Sequence, residues 1–233
     1  MLAVEDLHAH YGKSHVLHGV RLHVDAGEIV CLLGRNGVGK STTLKTIMGL
    51  MAPSRGRVTF KGADIAGLPA YRVARLGLGY VPEERRIFPT ITVRENLLMG
   101  VKAGRSRNGS WTVDRVYQFF PRLKERERQR AGTLSGGEQQ MLTIGRTLMG
   151  DPELLLVDEP TEGLAPMIVE QVERILSEIH RGGTPVLLVE QAMETAMALA
   201  QRVYVMSKGQ IVFSGSVEEL GANDAVRRQY LEV

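Results

Sequence analysis

Apolar residues recur along this chain with two different periods. Leu2–His8 and Val20–Val24 alternate roughly between apolar and polar residues, with β-branched content, which predicts half-buried strands. Tyr11, Gly12, Lys13 and Ser14 supply turn residues between them. Glu28–Leu33 (EIVCLL), Leu154–Val157 (LLLV) and Val186–Val189 (VLLV) are nearly continuous apolar runs, the mark of strands buried on both faces. The first run enters a Gly-rich turn at Gly34. Leu44, Ile47 and Met48 then fall at helical spacing, so a helix is expected over 41–50, closed poorly by Gly49 and stopped by Pro53. A helix over Ile168–Ile179 is expected between the two late runs, and a β-α-β unit of that kind implies a parallel sheet. Arg202–Met206 and Gln210–Phe213, split by Ser207, Lys208 and Gly209, read as a hairpin. From Thr92 to Arg146 strands are scarce and helical spacing dominates, interrupted by a loop at Gly104–Ser110. The expected fold is α/β: a mostly parallel core, an antiparallel β N-terminal part and an inserted helical subdomain. One domain is expected over 1–233, with the core at 1–86 and 147–233 and the helical subdomain at 87–146.

Composition narrows the class. The 233 residues are 43% hydrophobic and 24% charged, ordinary globular usage that excludes disordered and collagen-like chains. Mean hydropathy is −0.08, and no run approaches the ~18 apolar residues of a membrane span, so the chain is expected to be soluble by itself. The single cysteine, Cys31, excludes an internal disulfide framework. The opening MLAVEDLHAHYG carries an acidic pair and no apolar core, unlike a secretory signal. Net charge is only +3, and the densest charged run, Arg122–Arg130, alternates in sign. That reads as a solvated helix face, and nucleic acid is not an expected partner.

Three motifs carry chemistry. Gly34-Arg35-Asn36-Gly37-Val38-Gly39-Lys40-Ser41, followed by Thr42, fits a phosphate-binding loop between a buried strand and a helix. Its glycines let backbone N–H groups surround phosphate oxygens. Lys40 would reach the β- and γ-phosphates, and Ser41 would place its hydroxyl on Mg²⁺. Next, Asp158 and Glu159 end the run Leu154–Val157, at the strand tip where α/β ligand sites lie. Asp158 would hold Mg²⁺ through a water, and Glu159 is placed to act as general base. The third motif is Leu134-Ser135-Gly136-Gly137-Glu138-Gln139-Gln140. Ser135 with Glu138 is, in its plainest reading, a helix capping box, and the two glycines free the backbone to approach a phosphate.

These motifs, in this order, resemble the ATP-binding cassette (ABC) ATPases over essentially the whole chain, and so a P-loop NTPase core. The resemblance implies that Ser135, Gly136, Gly137 and Glu138 bind the γ-phosphate of ATP held by a partner subunit. It implies that Tyr11 stacks on adenine, although a core or surface tyrosine is the plain alternative. Glu83 sits where the family usually has a glutamine that senses Mg²⁺ and couples to the membrane subunit. Gly163 and Leu164 resemble the loop that crosses the dimer interface, with Ala165 in place of the usual Asp. Gln191 stands where a γ-phosphate histidine is usual; it can donate a hydrogen bond but cannot titrate, so the base role falls to Glu159. Lys40, Glu159 and Gln191 are the expected catalytic set, and Ser41, Asp158 and Glu83 the expected metal set.

VPEERRIFP, DEPTEGLAP and LLVEQ resemble one branch, the shorter of the two ATPases of branched-chain (hydrophobic) amino acid importers. Urea importers share part of this pattern, and a non-transport regulatory cassette is the alternative of a different class. The stretch from Lys40 to Ser135 is too short for the coiled coil of chromosome-maintenance ATPases. The resemblance implies ATP and Mg²⁺ as ligands and a second ABC ATPase subunit, identical or different, as partner. It further implies integral membrane permease subunits, an indirectly linked solute-binding protein, and a peripheral place on the cytoplasmic face of the membrane. The groove for the membrane subunit is expected near Glu83–Thr92, with Arg85, Arg86, Ile87 and Phe88 supplying charge and apolar surface.

Overall fold

A computed structural model describes residues 1–102 and 110–231. The expected loop at Gly104–Ser110 lies, apart from Ser110, outside them. The chain opens with strands β1 (Leu2–Tyr11) and β2 (Ser14–Val24), both longer than the sequence pattern predicts. They pair antiparallel with a register shift between Val4 and Leu7. Asp6, at φ 50°, sits in that irregularity. The buried positions therefore change parity, from Leu2 and Val4 to Leu7 and Ala9, which hides the strand's true length from a simple period-two reading.

β3 (Ile29–Leu33) is wholly buried, as its apolar run predicts. Helix α1 (Lys40–Ile47) follows and ends earlier than expected. Gly49, at φ 72°, is a good stop rather than a poor one. Its N–H donates to Thr46 O at 3.2 Å, and the Leu50 N–H donates to Lys45 O at 2.9 Å. Those two bonds form a Schellman closure, which needs a left-handed residue here. A Cβ at Gly49 would also lie 2.1 Å from Leu68 O.

The next elements are β4 (Arg55–Phe60), β5 (Ala63–Asp64), α2 (Ala70–Arg75) and β6 (Leu78–Val81). All are too short or too polar to stand out in the sequence. Helices α3 (Val93–Leu98), α4 (Val113–Phe119), α5 (Pro121–Glu125) and α6 (Gly136–Leu148) fill the middle. The charged run Arg122–Arg130 is not one helix face, because α5 stops at Glu125 and turns follow. Then come β7 (Leu154–Asp158), α7 (Pro166–Arg181), β8 (Val186–Glu190), α8 (Met193–Leu199), β9 (Arg202–Ser207) and β10 (Gln210–Ser216). Helices α9 (Val217–Ala222) and α10 (Asp224–Tyr230) close the described chain.

Two sheets result. One is antiparallel, in the order β2-β1-β4-β5; the other has the order β10-β9-β3-β8-β7-β6. In the second, every neighbouring pair except β10–β9 is parallel. Alternate residues of the parallel strands feed two cores. Cys31, Leu33, Leu155, Val157 and Leu188 face α3–α9. Val30, Leu32, Leu154, Leu156 and Leu187 face α1, α2 and the antiparallel sheet. Burial on both faces explains the unbroken apolar runs of β3, β7 and β8. The order β3-β8-β7 also sets three strand tips side by side, and those tips carry Gly34, Glu190 with Gln191, and Asp158 with Glu159.

Among the described residues no helix is long and apolar enough to cross a membrane.

Candidate functional site

The loop Gly34–Gly39 joins β3 to α1. Gly34 is required by close approach, since a Cβ there would lie 2.5 Å from Met206 O. The first turn of α1 has no side-chain cap and no acidic residue, so its N–H groups remain open to an anion. Lys40 is buried and already held from three sides. Its Nζ donates to Gly34 O at 2.7 Å and Arg35 O at 3.0 Å, and pairs with Glu159 Oε1 at 3.0 Å. The loop is braced by Gly209, whose N–H donates to Val38 O at 2.8 Å. Gly209 O in turn accepts from the His18 N–H at 2.9 Å, linking the phosphate loop to the hairpin that carries Tyr11. Tyr11 is half exposed near the tip of that hairpin.

Asp158 is buried at the tip of β7. Ser41 Oγ donates to its Oδ1 at 2.8 Å and Tyr80 OH to its Oδ2 at 2.9 Å. Burial pushes the Asp158 carboxyl above its ordinary range, against the pull of these two bonds. Burial and the neighbouring Asp158 push the Tyr80 phenol well up, so it stays a donor. The sequence reading gave Tyr80 no role; its position in Tyr80-Val81-Pro82-Glu83 was the available signal. Ser41 and Asp158 offer hard oxygen donors of the kind Mg²⁺ takes. Among the described residues no group of three or more His, Cys, Asp or Glu is arranged to hold a metal.

Glu159 adopts φ 42°, an unusual conformation for a non-glycine residue. Its N–H donates to Val189 O at 3.0 Å, tying it to β8. The neighbouring Glu159 carboxylate, then burial and the charge of Glu83, raise the Glu162 carboxyl above the usual range. Glu83 is exposed and lines a shallow pocket with Glu162, Arg85 and Gln139. Glu83, Glu159 and Glu162 are thus three acidic side chains on one edge of the site.

Gln191 follows β8 with an exposed side chain. It lines a cavity of about 510 Å³ with Glu159, Thr161, Glu162 and Glu190. Glu190, Thr161 and Glu162 escaped the sequence reading as site residues. The signal for Glu190 was a charged residue ending an otherwise apolar run.

The signature stands apart, at the start of α6. Ser135 caps that helix, and its Oγ accepts from the Glu138 N–H at 3.4 Å. Glu138 Oε2 accepts from Ser135 N at 2.9 Å and from Ser135 Oγ at 3.0 Å, completing the expected capping box. Ser135, Gly137 and Glu138 line a third pocket of about 300 Å³ with Met141, Met167 and Ile168. Arg85, at φ 53°, folds back to donate to Glu162 O at 3.2 Å. Ile87 packs on the core. Of the four groove residues expected, only Arg86 and Phe88 are exposed.

The ABC transporter family profile matches residues 17–162. The high-affinity branched-chain amino acid transport ATP-binding protein BraG of Pseudomonas aeruginosa is 46% identical over 231 residues, covering 99% of each chain. The probable branched-chain amino acid transport ATP-binding protein LivF of Archaeoglobus fulgidus is 34% identical, covering 94% of each. The lipopolysaccharide export ATP-binding protein LptB of Escherichia coli K12 is 32% identical over 99% of this chain and 96% of that one. Among solved structures, a nucleotide-free ATP-binding cassette superposes with a TM-score of 0.82 at 27% identity, over 97% of this chain and 96% of that one. The ADP form of another cassette gives 0.83 at 28% identity, over 95% and 93%. With the phosphate loop, the acidic strand tip and the capped signature each in place on this fold, the chain belongs to the ABC transporter family.

Proposed function

We propose that this chain is the ATP-binding and ATP-hydrolysing subunit of an importer of branched-chain or other hydrophobic amino acids. The observation that carries the substrate class is the near full-length, 46% identity to BraG. LptB, 32% identical, serves lipopolysaccharide export, in keeping with a cassette that supplies power while the permease reads the cargo. The chain works in a dimer, of two identical or two different cassettes, against membrane permease subunits on the cytoplasmic face. A solute-binding protein delivers the cargo on the far side. The core, 1–86 and 147–233, carries the nucleotide; the helical part, 87–146, carries the signature and the docking surface. Helix α6 runs through position 146 and joins the two.

The family relationship and the arrangement of the site support the following roles. Tyr11 stacks on adenine. The N–H groups of Gly34–Thr42 surround the phosphates, and Lys40 neutralises the β- and γ-phosphate charge. Ser41 and Asp158 would hold Mg²⁺, and the resemblance adds Glu83 to that set; the ion would neutralise phosphate charge. Lys40 pairs with Glu159. A phosphate that draws Lys40 away leaves the Glu159 carboxylate free to take a proton. Glu159 then accepts the proton of the water that attacks the γ-phosphorus, while the bond to the ADP oxygen breaks. Gln191 donates a hydrogen bond to a γ-phosphate oxygen. Ser135, Gly136, Gly137 and Glu138 bind the γ-phosphate of the partner's ATP, so hydrolysis requires the closed dimer. ATP drives the permease because it binds the closed dimer better than the open one.

The test is reconstitution with branched-chain amino acid permease subunits and their binding protein in vesicles. ATP-dependent leucine uptake is expected, with hydrolysis stimulated by the membrane subunits. Hydrolysis indifferent to them, with no uptake, would instead mark a regulatory cassette.

A further inference from the structure

Glu190 is only 2% exposed and lies at the tip of β8, between the strand tips that carry Asp158 and Gly34. Burying a carboxylate is costly unless its oxygens are satisfied. Here both are. Oε1 accepts from Thr161 Oγ at 2.8 Å and from the Thr161 N–H at 3.4 Å. Oε2 accepts from the Gln191 N–H at 3.1 Å. Burial raises the Glu190 carboxyl above its ordinary range, and these bonds oppose that shift.

The two partners belong to different segments. Thr161 lies two residues beyond Glu159 in the connection from β7 to α7. Gln191 begins the connection from β8 to α8. A single buried carboxylate therefore joins the segment of the proton acceptor to the segment of the γ-phosphate donor. The Glu159 N–H on Val189 O, at 3.0 Å, ties the same two tips through the backbone. An apolar residue at this strand end would avoid the desolvation cost but would leave two N–H groups and a hydroxyl to find other partners.

We infer that Glu190 is a positioning residue for hydrolysis: through Thr161 and the Gln191 backbone it fixes where Gln191 stands relative to Glu159. The inference rests on the roles proposed above for those two residues. Glu190 is almost wholly buried, and its oxygens are taken up by Thr161 and the Gln191 N–H, so its part is to position and not to react. Its loss should therefore lower the rate of the chemical step and leave nucleotide affinity nearly unchanged.

The test is single-turnover hydrolysis of MgATP by the full chain, with MgATP affinity measured separately. Glu190→Gln keeps the shape but turns one acceptor into a donor that faces an N–H or a hydroxyl. Thr161→Val replaces the hydroxyl with a methyl group of similar size, so it reads the same link where Glu190→Gln fails to fold. Each is expected to slow turnover roughly tenfold, the rate equivalent of one hydrogen bond to a charged group. Affinity should stay within about twofold, and the double variant should be little slower than either single one. Thr161→Ser, which restores the hydroxyl, should return to within about twofold of the parental rate. Parental turnover in Glu190→Gln and Thr161→Val overturns the inference. So does a Thr161→Ser variant as slow as Thr161→Val, which would make the effect one of packing. If both variants turn over normally while Glu159→Gln and Gln191→Ala remain slow, the positioning role falls and the reading of the site stands. If Glu159→Gln and Gln191→Ala are themselves as fast as the parent, the site reading falls with it.

Discussion

Lys40 Nζ and Glu159 Oε1 lie 3.0 Å apart with both side chains buried. The cation that should bind phosphate and the carboxylate that should accept a proton thus form one buried ion pair. Removing one member of a buried pair strands the other charge, at a cost of about 3–5 kcal/mol. Lys40→Met should therefore destabilise the nucleotide-free protein by roughly that amount, and Lys40→Met with Glu159→Gln should recover most of it. Urea unfolding of the two single variants and the double variant checks this. Additive losses would mean that the pair contributes nothing in solution.

Ser135 has two separable jobs. As cap of α6 it stabilises its own chain, and replacing such a cap costs ~0.5–2 kcal/mol. As part of the signature it is expected to meet the partner's ATP. Ser135→Arg should lower the unfolding midpoint slightly, leave nucleotide affinity of the monomer intact, and abolish ATP-driven dimerisation and hydrolysis. Equilibrium binding and light scattering read these apart. Collapse of the monomer's own affinity would reject the contact in trans.

Phe88, Leu98, Met99 and Val101 are exposed around α3, and the Arg146 guanidinium covers the Phe88 ring at 5.0 Å. A cysteine at Phe88 or Arg86 should crosslink to a permease subunit in the assembled transporter. The native Cys31 is buried, and burial raises its thiol well above the ordinary range, so the introduced thiol carries the signal. Crosslinks that form from other surfaces but not from these positions would move the docking site elsewhere.

His15 lies against three other histidines on the β1–β2 hairpin. Its ring stacks on His10 at 4.2 Å and meets His18 at 4.0 Å, and His8 Nδ1 is 3.1 Å from its Nε2. Its pKa is lowered from 6.5, chiefly by desolvation and then by His18 and His10. The unfolded chain then binds the proton more readily, so His15's contribution to stability is present at higher pH and is lost as pH falls through 6.5 towards the folded value. Thermal unfolding between about pH 7.5 and 5 should show that loss, and His15→Gln should flatten it. An unchanged slope in His15→Gln would assign the loss to other groups.

The buried strands were legible because β3, β7 and β8 are covered on both faces and so carry continuous apolar runs. The phosphate loop was legible because its chemistry is local. β4, β5, α2 and β6 were not, since Arg55–Phe60 is half exposed and Leu78–Val81 is only four residues long. β1 was cut short at His8 because the irregularity at Asp6 shifts the apolar parity. Tyr80, Thr161 and Glu190 are hard to read as site residues for a different reason. Tyr80 bonds Asp158, and Thr161 bonds Glu190, across long stretches of sequence, and only the order β8-β7-β6 brings these residues together.

The most direct test is Glu159→Gln in the presence of MgATP. The substitution keeps the side chain's shape, removes the proton acceptor and weakens its hold on Lys40. Hydrolysis should fall by about 10²–10⁴-fold, and light scattering should find a stable dimer that retains ATP. A variant that stays monomeric and turns over near the parental rate would contradict both the base role of Glu159 and the ATP-closed dimer.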